Sequence, residues 1–210
     1  MAADRLDEVL DAAYDCLTRY GARRTTMDDI ASAMGVSRSA VYQYVRNKDD
    51  AFRRLAGRLH EQALRRAREA AEADAPYEER LRGVLAAKLD LVLQLAGDSP
   101  HATELLDGKT RLFGEICTTF TTDLRDLLTD LFTEAGTAKG VTPSEAADIC
   151  VALVVGLEAM PGARDLLAPA TSALATGLLG AAPTSRGPGE AHAPHGRGTD
   201  SVPSTTRGTS

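Results

Sequence analysis

Residues 25–52 contain the pattern that most restricts how this chain can fold, two short helices joined by a tight turn. Thr26 stands at the start of the first helix, and Asp29 follows three residues later, which is the spacing of a capping box. Gly35 supplies the permissive backbone that a turn between helices needs, and Ser37 is placed to cap the second helix. The segment therefore predicts a helix-turn-helix.

The second helix of this pair has an outer surface that is rich in hydrogen-bond donors and poor in negative charge. Val41 and Val45 are four residues apart and are predicted to face inward, which leaves the residues around them facing outward. Such a surface suits the major groove of DNA. The predicted DNA-binding residues are Thr26, Ser37, Arg38, Ser39, Ala40, Tyr42, Gln43, Tyr44 and Lys48.

The chemistry of these side chains divides them into two groups. Hydroxyl groups, helix starts and a lysine hold the DNA backbone without reading its sequence, so the predicted phosphate and sugar contacts are Thr26, Ser37, Tyr42, Tyr44 and Lys48. The predicted base readers are Arg38, Ser39 and Gln43, while Ala40 is placed to touch a thymine methyl group. Two alternatives stay open: Tyr42 packs against the core of the head, or Lys48 is only a solvated surface charge.

The same segment resembles the DNA-binding head of the TetR family of bacterial transcriptional repressors. The match consists of a Thr that starts a helix, a Gly-Val-Ser turn, a Tyr in the recognition helix and a Lys-Asp pair that opens the next helix. These are Thr26, Gly35-Val36-Ser37, Tyr42 and Lys48-Asp49. The chain departs from the family pattern at Gln43, Tyr44 and Val45, where family members usually have an aromatic residue, His and Phe.

The resemblance implies an all-α fold with an N-terminal three-helix DNA-binding domain that contains the helix-turn-helix. A C-terminal helical domain for ligand binding and dimerisation would follow. The predicted divisions are residues 1–47 for the DNA-binding domain, 48–75 for a linking helix, 76–180 for the effector-binding and dimerisation domain, and 181–210 for a disordered tail rich in Pro, Gly, Ser and Thr.

Charge is distributed unevenly along the chain. The whole chain has 210 residues and a net charge of -6, which argues against a protein that coats nucleic acid by bulk electrostatics. Residues 19–58 nevertheless hold nine Lys and Arg residues against four Asp. This asymmetry is expected of a small DNA-reading head on an acidic body, because phosphate is neutralised only where the duplex docks.

Apolar residues recur at three- and four-residue steps along the rest of the chain, so every predicted element is a helix. The first helix is predicted to end at Gly21 in a left-handed conformation. Thr142 and Glu145, with Pro143 between them, mark a clear helix start. The other predicted helices cover residues 48–74, 76–97, about 109–135 and 166–178, and a short one opens at Ser99 and Pro100.

Residues 149–157 are apolar nearly all round, so the helix that contains them must be covered on more than one side. Either it is the central core helix of a monomer, or it pairs with the last helix and with the same two helices of a second chain. The family resemblance implies the homodimer. A two-fold dimer presents two recognition helices about 34 to 36 Å apart, which matches a palindromic site in double-stranded DNA.

The family resemblance also implies a cavity among the middle helices, where a small-molecule effector binds and releases the DNA operator. The predicted ligand-binding residues place polar or aromatic groups beside apolar faces; they are His101, Glu104, Phe113, Cys117, Phe120, Thr121 and Glu158. Ordinary core packing also explains the two Phe residues, and a capping role explains His101. Glu158 lies in an apolar run and needs a partner, across the dimer or on a cationic effector.

Cys16, Cys117 and Cys150 are widely spaced and fit neither a zinc site nor a disulfide framework. They are interpreted as small core residues, with a thiol redox sensor at Cys117 as the alternative. His192 and His195 lie three residues apart in the tail without further ligands nearby, so no metal and no cofactor are predicted.

The pattern of the chain does not favour an enzyme or a membrane protein. No strand pattern, phosphate-binding loop, nucleophile elbow or paired-His motif is visible. The start of the chain is acidic and no apolar run is long enough to span a bilayer, so a cytoplasmic location is expected. The predicted function is a homodimeric repressor that an effector releases from a palindromic operator. The alternatives are a thiol-based regulator that uses Cys117 and an effector-independent DNA-organising protein.

Overall fold

The computed structural model describes residues 2–106 and 112–179, and its elements are helices. They are α1 (Ala2–Arg24), α2 (Met27–Met34), α3 (Arg38–Val41), α4 (Lys48–Ala71), α5 (Tyr77–Asp98), a 3-10 helix (Ala102–Leu106), α6 (Gly114–Ala135), α7 (Pro143–Leu157) and α8 (Ala163–Leu178). An isolated antiparallel bridge joins Thr137 to Leu179. The predicted all-α fold class is confirmed. The predicted tail after residue 180 and its two histidines lie outside the described residues.

The predicted helix-turn-helix is present as α2, the turn at Gly35 and α3. The Thr26 hydroxyl accepts the Asp29 N–H at 3.2 Å, and the Asp29 carboxylate accepts the Thr26 N–H at 2.8 Å, so the capping box is confirmed. Gly35 has a left-handed backbone with φ 66° and ψ 29°. The Ser37 hydroxyl accepts the Ala40 N–H at 3.3 Å and caps α3.

The recognition segment is shorter as an α-helix than the sequence predicts. α3 has 4 residues, and the chain then continues in tighter turns, because the Gln43 N–H bonds to the Ala40 carbonyl and the Tyr44 N–H bonds to the Val41 carbonyl. Val41 and Val45 are 0% and 2% exposed, as predicted for the inward side. The residues between them therefore keep a fixed outward direction although the helix tightens.

Buried apolar residues form two clusters. The first contains the inward sides of α1, α2, α3 and the first half of α4, and it extends to Leu95 of α5 and Phe120 of α6. The second joins the end of α4 to α5, α6, α7 and α8. Because α4 contributes to both clusters, it is packed along its length against the N-terminal helices and the C-terminal helices. A shift of α4 is therefore felt in both clusters.

α4 and α5 pack at very short distance around Gly83. A Cβ atom added at Gly83 would lie 2.6 Å from the Ala70 Cβ, so only a glycine fits there. Nearby, the Arg80 guanidinium donates to the Ala71 carbonyl at 2.6 Å and to Glu134 of α6 at 2.8 Å. These contacts tie the end of α4 to α5 and α6.

Two predicted helix ends differ from the structure. Gly21 has the predicted positive φ of 78°, but its ψ of 159° is outside the left-handed helical region, and one more turn follows before α1 ends at Arg24. The helix predicted from about residue 109 begins at Gly114. Residues 107–111 lie outside the described part of the chain, and Phe113 precedes the helix, although it is 3% exposed and belongs to the first cluster.

α7 begins with the predicted capping box between Thr142 and Glu145, with Pro143 as its first residue. One side of α7 packs into the second cluster, where Cys150 and Val154 are fully buried. The other side is not covered by any part of the chain that the structure describes. Large apolar side chains of α7, α8 and their junction are exposed, namely Ile149 at 42%, Val155 at 48%, Met160 at 51% and Leu166 at 39%.

Candidate DNA-binding surface and groove between helices 4 and 6

The structure brings the predicted base readers to the surface of the recognition segment. Arg38, Ser39 and Gln43 are exposed, and Ala40 is half-buried. Tyr42 is 42% exposed, so it does not pack into the head core, whereas Tyr44 is half-buried against the first cluster. Exposed donors on a short, capped segment are placed as the reading of base edges requires.

The Arg38 guanidinium is held from two sides. One of its nitrogens donates to the Asp28 carboxylate of α2 at 3.1 Å, and another donates to the Tyr42 hydroxyl at 2.9 Å. The guanidinium carbon also lies 5.4 Å from the centre of the Tyr42 ring. The Tyr42 hydrogen bond first, and the Asp28 charge second, raise the pKa of Arg38 above its ordinary value. Asp28 and Tyr42 therefore orient Arg38 in the absence of DNA.

Lys48 closes the end of α1. Its ammonium group donates to the carbonyls of Ala22 at 3.0 Å, Arg23 at 3.1 Å and Thr25 at 3.1 Å. An ammonium has three protons, and these carbonyls are the groups that a helix end leaves without partners. The structure thus gives Lys48 a capping role that the sequence analysis did not foresee. The predicted phosphate contact of Lys48 stays a prediction.

The start of α4 is fixed by a buried carboxylate. Asp50 is 5% exposed and accepts the Arg46 backbone N–H at 3.0 Å and the Arg46 and Arg54 guanidinium groups at 3.1 and 3.3 Å. Burial raises the pKa of Asp50, but the hydrogen bonds from Arg46 and the charge of Arg54 outweigh it, so the pKa is lowered. Asn47 caps α4 by accepting the Asp50 N–H at 2.8 Å. The recognition segment is therefore rigidly joined to α4.

A groove of about 400 Å³ lies between α4 and α6, in contact with the end of the first cluster. Its lining consists of Gly57, His60, Glu61, Leu64, Glu115, Ile116, Thr119, Phe120 and Asp123. His60 is 6% exposed, its Nδ1 lies 2.8 Å from the Ala56 carbonyl oxygen, and its ring meets the Phe120 ring edge-on at 5.1 Å. Burial lowers the pKa of His60 below its ordinary value. The groove is thus lined at its centre by a neutral imidazole and a phenyl ring.

A half-buried ion pair lies beside the groove. The Lys88 ammonium of α5 is 2.7 Å from the Glu158 carboxylate and 5.8 Å from the centre of the Phe120 ring. The sequence predicts that the partner of Glu158 lies on a second chain or on an effector. The partner is Lys88 of the same chain, because the end of α7 approaches α5, and the two charges neutralise each other.

The head of the chain is similar in sequence to known DNA-binding regulators. The family model described as bacterial regulatory proteins, tetR family, matches residues 9–55, which cover α2, α3 and most of α1. By this match, the helix-turn-helix head of the chain belongs to the TetR family. A curated relative, the HTH-type transcriptional regulator YhgD of Bacillus subtilis (strain 168), is 31% identical over 90 residues, or 43% of this chain. The chain spans about half the length of that relative, 47%.

Solved structures of bacterial transcriptional regulators share the fold. A transcriptional regulator of the TetR/AcrR family from Thermobifida fusca YX-ER1 is 19% identical, with a TM-score of 0.66 over 81% of this chain and 96% of that one. The regulator FadR from Bacillus subtilis, solved in complex with stearoyl-CoA, is 19% identical, with a TM-score of 0.60 over 80% of this chain and 94% of that one. At these identities the similarity shows the fold.

The structure does not bring the seven predicted ligand-binding residues of this TetR-family chain together. Phe120 lines the groove, and the Cys117 sulfur lies 3.8 Å from His60 Nε2. His101 and Glu104 pair with each other at 3.2 Å beside Gly21, where Glu104 also accepts the Ala22 N–H. The others are placed elsewhere: Phe113 in the first cluster, Thr121 in a shallow depression with Arg125, and Glu158 on Lys88.

Several residues of the DNA-binding surface and of the groove between α4 and α6 are not among the residues predicted from the sequence. Asp28 orients Arg38, and Arg23 and Arg24 are exposed beside the carbonyls that Lys48 caps. His60 follows Phe52 and Ala56 at steps of four, so its place in the apolar stripe of α4 was a readable signal. The carboxylates Glu61, Glu115 and Asp123 carried no such signal, because the pairing of α4 with α6 is not visible in the sequence.

Within residues 2–106 and 112–179, no helix combines the length and the apolar character that crossing a bilayer requires. No group of three or more His, Cys, Asp or Glu residues in the same part of the chain is arranged to hold a metal ion.

Proposed function

We propose that this TetR-family chain is a homodimeric transcriptional repressor that binds a palindromic DNA operator and leaves it when a small-molecule effector binds. The observation that carries the proposal is the orientation of Arg38 by Asp28 and Tyr42 on an exposed, capped recognition segment. A guanidinium in a fixed direction can donate to both acceptors of a guanine in the major groove, which is worth about 1 to 3 kcal/mol of discrimination.

The remaining contacts complete one half-site. Gln43 and Ser39 are exposed for base reading, and the Thr26 and Ser37 hydroxyls lie at the starts of α2 and α3, where helix dipoles favour phosphate. The exposed Arg23 and Arg24 add positive charge near the same helix start. Phosphate contacts of this kind supply affinity, while Arg38 and Gln43 supply sequence preference.

The exposed apolar side chains of α7 and α8 support the homodimer. Ile149, Val155, Met160 and Leu166 are each at least 39% exposed in the single chain. Burying a large apolar side chain stabilises a complex by about 1.5 to 3 kcal/mol when it is fully covered. A second copy that presents the same two helices covers the same type of surface, which is the self-complementary arrangement of a two-fold dimer. We place the domain limits at residues 47, 75 and 180.

Effector control is proposed through α4. This helix begins seven residues after the last residue of α3 and lines the groove with Gly57, His60, Glu61 and Leu64. FadR of Bacillus subtilis, which shares the fold, was solved with stearoyl-CoA bound. A ligand that separates α4 from α6 displaces the start of α4, and the Asp50 contacts transmit that displacement to the recognition segment.

A selection of bound sequences from a random pool of DNA duplexes tests the DNA-binding part. We expect enrichment of an inverted repeat, and we expect Arg38→Ala to lose preference at one base pair of each half-site. An unenriched pool would contradict sequence-specific binding. If an operator is found but no compound in a screen releases it, the chain is better described as the effector-independent DNA-organising protein.

A thiol-based regulator is the second candidate. The Cys117 sulfur lies 3.8 Å from His60 Nε2 and lines a surface depression with Thr121 and Arg125, so an oxidant can reach it. Cys16 and Cys150 are buried, and burial raises the pKa of the Cys150 thiol to about 12, which makes both poor sensors. This candidate predicts that hydrogen peroxide abolishes DNA binding and that Cys117→Ser restores it.

A further inference from the structure

We propose that the groove between α4 and α6 binds organic cations with an apolar body, and that such cations are the effectors of this regulator. The inference rests on the proposed function for the effect on DNA, but the binding itself does not depend on it. The occupant is a small molecule with a positive charge and aromatic or aliphatic groups.

The centre of the groove is suited to apolar groups. Leu64, Ile116 and Phe120 line it together with His60, whose lowered pKa keeps the imidazole uncharged at neutral pH. Its volume of about 400 Å³ is in the usual range for small-molecule sites. Apolar surface removed from water here supplies most of the binding free energy, at about 25 cal/mol per Å².

The charges that line the groove are all negative. Glu61, Glu115 and Asp123 belong to its lining, and no lysine or arginine does among the residues that the structure describes. Glu61 has an exposed partner in Arg65 at 3.2 Å. For Glu115 and Asp123 no ion pair exists within residues 2–106 and 112–179. Among the described residues, these two carboxylates therefore have no basic partner.

Lys88, a basic residue beside the groove, does not reverse this balance. Lys88 lies 5.8 Å from the centre of the Phe120 ring, but its charge is matched by Glu158 at 2.7 Å. An anionic ligand entering the groove would lose hydration and meet Glu115 and Asp123. A cation of the same shape is instead attracted by both carboxylates. The groove thus distinguishes ligands by the sign of their charge.

Two ions of matched shape and opposite charge test the inference. Tetraphenylphosphonium and tetraphenylborate both carry four phenyl groups, so their apolar contacts are alike. Isothermal titration of the full chain without DNA is expected to show at least tenfold tighter binding of the phosphonium ion. Equal binding of the two ions, or tighter binding of the borate, overturns the proposal.

Charge variants locate the site. Glu115→Gln with Asp123→Asn is expected to weaken binding of tetraphenylphosphonium at least tenfold and to reduce its advantage over tetraphenylborate. The control, Glu69→Gln with Asp130→Asn, removes the same charge from exposed positions of α4 and α6 outside the groove lining. It should bind like the original chain. If the groove variant binds as tightly as the control, the site is not this groove.

Failure of the groove and failure of the proposed function give different results. Tetraphenylphosphonium that binds at the groove but leaves the DNA complex intact supports the cation site and contradicts effector release. A chain that binds the selected DNA but shows no preference for the cation contradicts the cation site alone.

Discussion

At the residue scale, Arg38 and Lys48 show how two basic residues of one short segment take different tasks. Arg38 is exposed and directed by Asp28 and Tyr42, so its remaining donors face a possible base. Lys48 donates to three backbone carbonyls and stabilises the end of α1. The sequence shows that both are basic, but it does not show which carbonyls or carboxylates come within reach.

Asp28→Asn tests whether Asp28 positions Arg38. We expect the variant to lose part of the preference at the base pair that Arg38 reads, because one of the two anchors of the guanidinium is weakened. Binding titrations against operator variants measure this preference. Asp49→Asn, at another exposed acidic position of the head, is the control. A loss of affinity that is equal for all sequences would contradict the positioning role.

Lys48→Met tests the capping role. We expect the free energy of unfolding to fall by about 1 kcal/mol, since three carbonyls, two of them in part-buried bonds, lose their donor. Lys139→Met, at an exposed lysine in the connection before α7, should be neutral in the same denaturant titration. The salt dependence of DNA binding separates the two roles: a slope flatter by about one unit supports the predicted phosphate contact, and an unchanged slope leaves capping alone.

His60 predicts a pH dependence of stability. Its pKa is lowered in the folded chain, so between the lowered value and the ordinary value of 6.5 the unfolded chain binds more protons. Stability should therefore be full above pH 6.5 and should decrease as the pH falls below it. Thermal unfolding at pH 7.5 and 5.5 measures this. His60→Gln should remove most of the difference, and a difference of the same size in that variant would contradict the assignment to His60.

At the element scale, the sequence predicts features whose residues are close together in the chain, but it does not predict which distant helices pack together. The capping boxes at Thr26 and Thr142 were predicted correctly because their partners lie three residues away. The start of α6 was predicted too early, since apolar spacing continues upstream of Gly114. The groove was not predicted because it depends on which faces of α4 and α6 meet. Of its lining residues, only Phe120 is among the ligand-binding residues predicted from the sequence.

Gly83→Ala tests the close packing of α4 on α5. The new methyl group would lie 2.6 Å from the Ala70 Cβ, so we expect a loss of about 1 to 3 kcal/mol from overpacking, which exceeds the gain in helix propensity. Gly97→Ala in the same helix meets no atom within 4 Å and should be neutral or stabilising. Denaturant unfolding compares the two. Equal stability of both variants would show that the helices are not in contact there.

At the scale of the whole molecule, the chain combines an exposed reading surface near its start with an exposed apolar surface on α7 and α8. Each surface is incomplete in one copy: a single recognition segment reads half a site, and Val155 or Ile149 faces water. The proposed dimer would complete both, because it would bury the apolar surface and double the contacts with DNA. One proposed assembly would therefore account for the two surfaces.

Val155→Asp tests the dimer surface. A carboxylate at this position would lose its hydration on association, so we expect the variant to sediment as a monomer and to bind DNA much more weakly. Thr118→Asp introduces the same charge at an exposed position of α6 and should remain dimeric. A dimeric Val155→Asp variant would place the interface elsewhere.

The most direct measurement is sedimentation of the chain with a duplex that contains the selected operator, at micromolar protein and modest ionic strength. Two chains bound together on one inverted repeat, and a dimer in the absence of DNA, are the predicted results. A single chain per duplex, or a protein that sediments as a monomer without associating with the duplex, would contradict the account.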